Sequence, residues 1–452
     1  MPRYGLVSGR RGTVENFCRN GKTMTKASPL KIAIAGLGTV GGGTVHLLHD
    51  QAALLAARAG RPLSLVGTAA LEKPPGLPLD GVPFFTDARV MARECDYDVL
   101  VELIGGAKGI ALDVVTTALE RGKSVVTANK AMIAHHGVAL ARLAEDKGGN
   151  IGFEASVGGG IPVIKSLREG LAGNRVTKVM GILNGTCNYI LTTMRDSGRD
   201  FADVLAEAQA LGYAEADPSF DIDGTDTAHK LAILASLAFA MPVNIDGVSC
   251  EGIRNVSALD IRYADELGYR IKLLGVASLS EQGVETRVYP AMVPLSFPLA
   301  HVSGPFNAIV TEGDFVGRTV LEGRGAGARP TASAVVADLM DLATGRVGPT
   351  FGLKVDALKT LPAAPSGAHR SAYYIRLMVR DEPGVFADVA GALKAEKVSM
   401  EQIIQRGRAP SEVVPVVMTV HETDEDSMLR AVSRIRALGS VTDLQLIRIE
   451  SL

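Results

Sequence analysis

The stretch LKIAIAGLGTVGGG, residues 30–43, decides the fold. Leu30 to Ala35 is a short apolar run of β type, Gly36-Leu37-Gly38-Thr39-Val40-Gly41 follows at once, and TVHLLHDQAALLAARAG then carries the apolar repeat of a helix. Strand, glycine turn and helix in that order are what a dinucleotide's phosphates require. Gly36 permits the tight turn, Gly38 lets the backbone approach a pyrophosphate, and Gly41 lets the helix pack against the strand. A Rossmann-type α/β domain is therefore expected over residues 30–150; the plainer reading of the same glycines is a tight βα turn without a ligand.

Outward from this stretch, further strand ends point at the same crevice. The second strand, near SLVGTAALEK, ends at Ala69 and Ala70, with Glu72 and Lys73 just beyond. An acid at that end reads the ribose of NAD and an arginine accommodates the phosphate of NADP, so both cofactors stay open. Tyr97 to Ile104 runs into Gly105-Gly106, and after a helix at about 110–121, Ser124 to Thr127 runs into Ala128-Asn129-Lys130. Lys130 at a strand end is a candidate for contact with a substrate carbonyl, or else an ordinary surface lysine.

The densest chemistry lies in LGYAEADPSFDIDGTDTAHK, residues 211–230. Glu215, Asp217, Asp221, Asp223 and Asp226 precede Lys230 there, and LAILASLAFA after it reads as a buried helix with a capping-box-like start near Asp223-Gly-Thr-Asp226. Asp226 and Lys230 are four apart, on one helix face. An ammonium held by a carboxylate at the mouth of a buried helix suits general acid or base chemistry. The bland alternative is a solvated acidic loop with one surface ion pair. A calcium loop is excluded by the missing oxygen ligands.

Residues 151–345 form an α+β second domain in this reading. Glu154-Ala-Ser-Val157-Gly-Gly159-Gly-Ile161 is either a cation loop, in which exposed backbone carbonyls act with the Glu154 carboxylate, or a tight backbone crossing. Asn184-Gly185-Thr186 is a polar cluster at a strand end, suited to a small substrate. Cys187 has no neighbouring base and is no nucleophile. Later runs such as Lys272 to Ala277 and Glu285 to Tyr289 suggest a mainly antiparallel sheet. Gly323 to Pro330 then opens a helix, and the segment near 320–345 returns to the cofactor. Residues 346–368 read as a linker, and 369–452 as a ferredoxin-like βαββαβ unit. In it Asp381 to Gly384 precede a helix whose amides could bind an amino-acid carboxylate; sensing and plain dimerisation both remain open.

With 452 residues, 47% hydrophobic and net charge −2, the chain is a multidomain globular protein with no electrostatic reason to bind nucleic acid or a membrane. Its four cysteines form no CxxC pair or disulfide framework, which points to a reducing, cytoplasmic setting. Residues 1–29 are basic and acid-poor, read as a disordered tail, with Met24 a possible true start.

Taken together, GLGTVGGG, TANK, FEASVGGGIP, GILNGTCNYIL and LGYAEADPSFDIDGTDTAHK resemble homoserine dehydrogenases, and residues 371–452 resemble an ACT domain. The resemblance implies reduction of L-aspartate 4-semialdehyde to L-homoserine with NAD(P)H, on the route to threonine and methionine. It implies Lys230 as proton donor; Glu215, Asp226 and Asp221 at the substrate, beside Asn184, Gly185 and Thr186; and Lys130 at the crevice between cofactor and substrate. Cofactor contacts carry over to the Gly36–Gly41 loop, Gly105, Lys130, Gly212, Glu215 and Gly327. A sodium site is implied at Glu154, Val157, Gly159 and Ile161, a threonine-type effector at Asp381 and Gly384, and a homodimer or homotetramer. Many relatives carry an arginine where this chain has Ala69 and Ala70, so strict NADP preference is in doubt and Lys73 is a substitute.

Overall fold

The computed structural model describes residues 28–365, 367, 369–406 and 412–450. Most of the expected tail at 1–29, and Cys18 with it, lies outside the described residues.

Two sheets organise the chain. The first holds β1 (Leu30–Ala35), β2 (Leu63–Ala69), β3 (Phe84–Phe85), β4 (Val99–Glu102), β5 (Ser124–Thr127) and β6 (Ile151–Gly152), all parallel, in the order β3-β2-β1-β4-β5-β6. This is the doubly wound order that opens a ligand crevice between β1 and β4, where the winding reverses. Ile32, Ile34, Val99 and Val101 are fully or almost fully buried, as befits strands covered by helices on both faces.

The second sheet holds β7 (Val176–Ile182), β8 (Ser249–Cys250), β9 (Tyr269–Ser280), β10 (Gly283–Pro294), β11 (Phe306–Gly313), β12 (Gly317–Arg324), β13 (Arg370–Arg380), β14 (Met400–Gln405), β15 (Val413–Asp424) and β16 (Val441–Ile449). Its order is β12-β11-β7-β9-β10-β16-β13-β15-β14, with β8 also paired to β10. From β7 to β12 the neighbours along the main path are antiparallel, and β13 to β16 have the ferredoxin-like order. These two parts make one sheet because β16 pairs with β10 at Ala291 and Met292.

The helix Ala328–Thr344 returns to the first sheet, packing on the helix Thr39–Asp50 and joining its apolar core through Val335 and Leu339. Residues 346–365, part of the expected linker, are mostly exposed but anchored at intervals. Phe351 is buried with its ring 5.6 Å from that of Phe153, and Ala364 N donates to Val284 O at 2.9 Å.

Candidate active site

The glycine turn after β1 takes the geometry its residues require. Gly36 has φ 100°, and a Cβ on it would sit 2.5 Å from Leu103 O. A Cβ on Gly41 would lie 2.0 Å from Gly36 O, so the contact is with the turn's own carbonyl more than with the strand. Gly38 has open space where its side chain would be and caps the helix Thr39–Asp50 with no side-chain bond, leaving amides toward the crevice. A cleft of about 580 Å³ opens there, lined among others by Gly38, Ala69, Ala70 and Ile104. Thr86, Asp87 and Arg89 line it too. Gly327, at φ 112°, starts the returning helix, whose Ala328 O would meet a Cβ on Gly43 at 2.8 Å.

Glu102, at the end of β4, is fully buried. Its carboxylate accepts from Ile104 N at 2.8 Å, Gly105 N at 2.9 Å and Thr127 Oγ1 at 2.6 Å. Thr127 Oγ1 in turn accepts from Asn129 N, and Asn129 caps the helix Lys130–Lys147 while donating to Gly106 O. This network sets the loop at Gly105 and the first residue of the helix, which is Lys130.

Lys130 Nζ meets Asp226 Oδ1 at 2.9 Å, and Lys230 Nζ meets Asp226 Oδ2 at 2.8 Å and Leu183 O at 2.7 Å. Asp226 is 3% exposed. Burial pushes its carboxyl up, but the two ammonium groups outweigh burial and hold it well below the usual carboxylate range. The helix Thr225–Phe239 starts from Gly224 in the left-handed region with no side-chain cap. The expected capping box is thus not formed: the N-cap position falls on Gly224, which has no side chain, and Asp223 pairs with Arg254.

Asn184 completes the cluster. It caps the helix Gly185–Ser197 by accepting from Cys187 N, and its amide donates to Asp221 Oδ1 at 2.7 Å and Asp226 Oδ2 at 2.8 Å. Burial raises the Asp221 carboxyl. A Cβ on Gly185 would lie 2.9 Å from Pro305 O, and Thr186 Oγ1 donates to Tyr213 O, tying the 211–218 loop to this helix. Tyr213 also stacks on Tyr189 with ring centres 4.5 Å apart.

The acids of the 211–230 stretch therefore separate by task. Asp221 and Asp226 enter the cluster, Asp217 accepts from Ser219 N, and Asp223 pairs with Arg254. Glu215 and Gly212 are exposed on the loop. Sequence reasoning missed Glu102, Asn129 and a histidine pair, His229 Nε2 to His135 Nε2 at 3.2 Å, between the helices that carry Lys230 and Lys130. The adjacency of His229 to Lys230 was the available signal.

At the triple-glycine loop the Glu154 carboxylate accepts from Ile164 N at 2.9 Å and Lys165 N at 2.8 Å, and Ile161 O accepts from Val163 N. Burial, then the nearby Asp338, push the Glu154 carboxyl up to about 7. Gly384, at φ 98°, starts the helix Val385–Ala395 with open space beside it, and Asp381 N donates to Glu412 O.

With this geometry established, comparison with known proteins identifies its relatives. The chain matches the family described as Homoserine dehydrogenase over residues 162–340, Homoserine dehydrogenase, NAD binding domain, over 36–154, and ACT domain over 373–440. It is 46% identical to a homoserine dehydrogenase of Pseudomonas aeruginosa, over 94% of this chain and 99% of that one. A Neisseria gonorrhoeae homoserine dehydrogenase is 44% identical over the same shares. The crystal structure of a Thiobacillus denitrificans homoserine dehydrogenase superposes with TM-score 0.89 at 43% identity, covering 94% of this chain and 99% of that one. A hyperthermophilic archaeal homoserine dehydrogenase in complex with NADPH gives TM-score 0.61 at 27% identity, covering 71% and 99%.

Proposed function

Because the chain belongs to the homoserine dehydrogenase family, an NAD(P)-dependent oxidoreductase acting on a CH–OH group, we propose the following roles for its residues in interconverting L-aspartate 4-semialdehyde and L-homoserine. The observation that carries the assignment is Asp226 held between Lys130 and Lys230, one ammonium on each oxygen. Lys230, 9% exposed at the head of a buried helix, gives its proton to the aldehyde oxygen in reduction and takes it back in oxidation. Lys130, more open and at the start of the helix that follows β5, orients that oxygen toward the cofactor crevice. Asp221, with Glu215 from the neighbouring loop, holds the substrate's ammonium, and Asn184, Gly185 and Thr186 shape that end of the site.

When bound, the dinucleotide would supply or accept the hydride at its nicotinamide ring. Gly36 to Gly41, Gly105 and Gly327 would cradle its phosphates, with Lys130, Gly212 and Glu215 on the cofactor side. Ala69 and Ala70 offer no carboxylate for a ribose hydroxyl, and Arg89 enters the same cleft, so Arg89 is the group that reads a 2′-phosphate and favours NADP. A sodium-type ion would be held by carbonyls of Glu154, Val157, Gly159 and Ile161; the Glu154 carboxylate is already engaged by two amides. Sodium titration of enzyme exchanged into sodium-free buffer, followed by thermal melting, tests this.

The ACT domain takes an amino-acid effector, threonine, at Asp381 and Gly384. Its pairing joins dimers built on the second sheet into tetramers, which light scattering with and without threonine decides. A cytoplasmic location fits the scattered cysteines, and among the described residues no helix is long and apolar enough to cross a membrane.

The deciding experiment is Lys230→Met in folded, cofactor-binding enzyme. Turnover is expected to fall by roughly 10²- to 10⁴-fold, the usual worth of a positioned proton donor. Near-native turnover would remove Lys230 from the proton-transfer role.

A further inference from the structure

β10 has two edges. β9 pairs with one along its whole length, from Gly283 to Pro294. The other is shared by three segments laid end to end in parallel: Ala363 at Val284, β8 at Arg287 and Val288, and β16 at Ala291 and Met292. Matching amides close the ladder, Ala364 N to Val284 O at 2.9 Å, Glu251 N to Val288 O at 2.7 Å and Glu450 N to Met292 O at 3.0 Å. The last strand of the ACT domain therefore abuts, along one edge, the segment Ser249–Arg254. Arg448 joins them directly: its Nη1 lies 3.4 Å from Glu251 Oε2, while its Nη2 pairs with Glu425, the first residue of an ACT helix. Arg287 of β10 holds the same Glu425 at 2.7 Å.

On its other side, Ser249–Arg254 grips the loop that carries the substrate acids. Ile253 N donates to Ile222 O at 2.9 Å, Cys250 Sγ to Asp223 O at 3.1 Å, and Arg254 pairs with Asp223 and donates to Ser219 Oγ at 3.0 Å. There is no slack in this grip. A Cβ on Gly252 would lie 2.1 Å from Ile222 O, and one on Gly224 would lie 2.7 Å from Cys250 Sγ. Asp221 and Asp226, both bound by Asn184, sit within and just after the gripped loop.

We propose that Ser249–Arg254 positions the substrate acids and is the element through which the ACT domain acts on substrate binding. The regulatory half rests on the effector reading above. A shift of β16 along β10 presses on or releases Glu251, and the segment passes that shift to Ser219–Gly224 through contacts too close to absorb it. Homoserine binding should respond and cofactor binding should not, because these contacts lie on the second sheet and its loops while the dinucleotide crevice belongs to the first.

Two full-length variants test this. In Arg448→Gln with no effector present, amide hydrogen exchange at 249–254 and 219–226 is expected to quicken while residues 30–60 stay unchanged, and the homoserine KM is expected to rise about fivefold with cofactor KM within about twofold. Wild-type exchange at both segments would overturn the coupling, whatever any amino acid does. In Glu251→Gln, which breaks the same ion pair, the homoserine KM is expected to rise as in Arg448→Gln, threonine binding by calorimetry is unchanged, and the threonine concentration for half inhibition, measured with homoserine at each enzyme's own KM, rises about fivefold. Full wild-type inhibition in that variant would overturn the coupling. Wild-type enzyme indifferent to every amino acid would overturn only the effector reading; the exchange result would still decide the coupling. If Arg448→Gln does not fold, exchange in Glu251→Gln is read by the same criteria.

Discussion

Asp226 accepts from one lysine on each oxygen, so a single buried carboxylate fixes the spacing of the two ammonium groups to which the proposed mechanism assigns the substrate oxygen. Residue-scale expectations follow from similar local balances. Arg89 is paired with Asp113, both side chains are well exposed, and such pairs yield readily to a better anion. Arg89→Gln is expected to lower kcat/KM for NADP about tenfold and leave that for NAD unchanged; equal losses would take the phosphate-reading role from Arg89. Glu154 gives a pH dependence. Its folded carboxyl, at about 7 against an ordinary 4.5, binds a proton that the unfolded chain has already lost between those values. The stability so gained is full below pH 4.5 and lost as pH rises through 7, on the order of 3 kcal/mol. Asp338, pushed up to about 6 chiefly by burial, adds a loss of the same sign. Melting temperatures should therefore fall between pH 5 and pH 8 by less in Glu154→Gln, whose amide oxygen still accepts an N–H, than in the native chain; equal falls would show that Glu154 is ionised throughout.

At the scale of elements, the helix Gly185–Ser197 owes both its start and its role to Asn184. The residue's oxygen caps the helix while its nitrogen bridges Asp221 and Asp226, so the polar group that begins the helix also aligns the acids. Asn184→Ala should cost about 1 kcal/mol of stability through the lost cap. It should also raise the homoserine KM about tenfold with the cofactor KM unchanged, as expected when an interaction confined to one ligand is lost. A purely thermal effect with native KM would confine Asn184 to capping. The ferredoxin-like elements were legible because each strand and helix of 369–452 carries its own periodicity, and the helix expected at 385–395 is found at Val385–Ala395. The capping box expected at Asp223 to Asp226 does not form because spacing alone does not say that the helix starts from Gly224 or that Asp223 meets Arg254.

For the whole molecule, the ACT domain is built into the larger sheet rather than hung from it. Besides the β10–β16 pairing, the fully buried Asp260 accepts from Arg376 Nε at 2.7 Å and Tyr374 Oη at 3.1 Å while closing the capping box of the helix Ala258–Glu266. Arg376→Met leaves that carboxylate buried without a cation, and the expected loss is about 3–5 kcal/mol, read as a drop in denaturant midpoint. A loss below about 1 kcal/mol would show that water or another group replaces the guanidinium. The same integration makes removal of residues 369–452 a poor test of regulation, since it strips β10 of a neighbour as well as removing the effector domain.

The sequence by itself determined what depends on short-range pattern: the strand–glycine–helix turn at 30–43, the βαββαβ order at the C-terminus, and the candidacy of Lys130, Asp226 and Lys230, whose residue types and spacing carry their chemistry. Tertiary structure alone decided which of five clustered acids share a site. Asp221 and Asp226 do so because Asn184, about forty residues earlier, lies between them, while Asp217 and Asp223 turn to Ser219 and Arg254. It also decided the role of Glu102, whose donors come from two different strand ends, and the sharing of one edge of β10 by the segment Ser249–Arg254 and the ACT domain. Such contacts join residues from about 25 to 160 positions apart, as with Thr127 and Glu102 or Glu450 and Tyr289. Local propensity and periodicity hold no record of a partner at that distance, because which donor meets which acceptor is set only when the sheets close and buried polar groups must find one another.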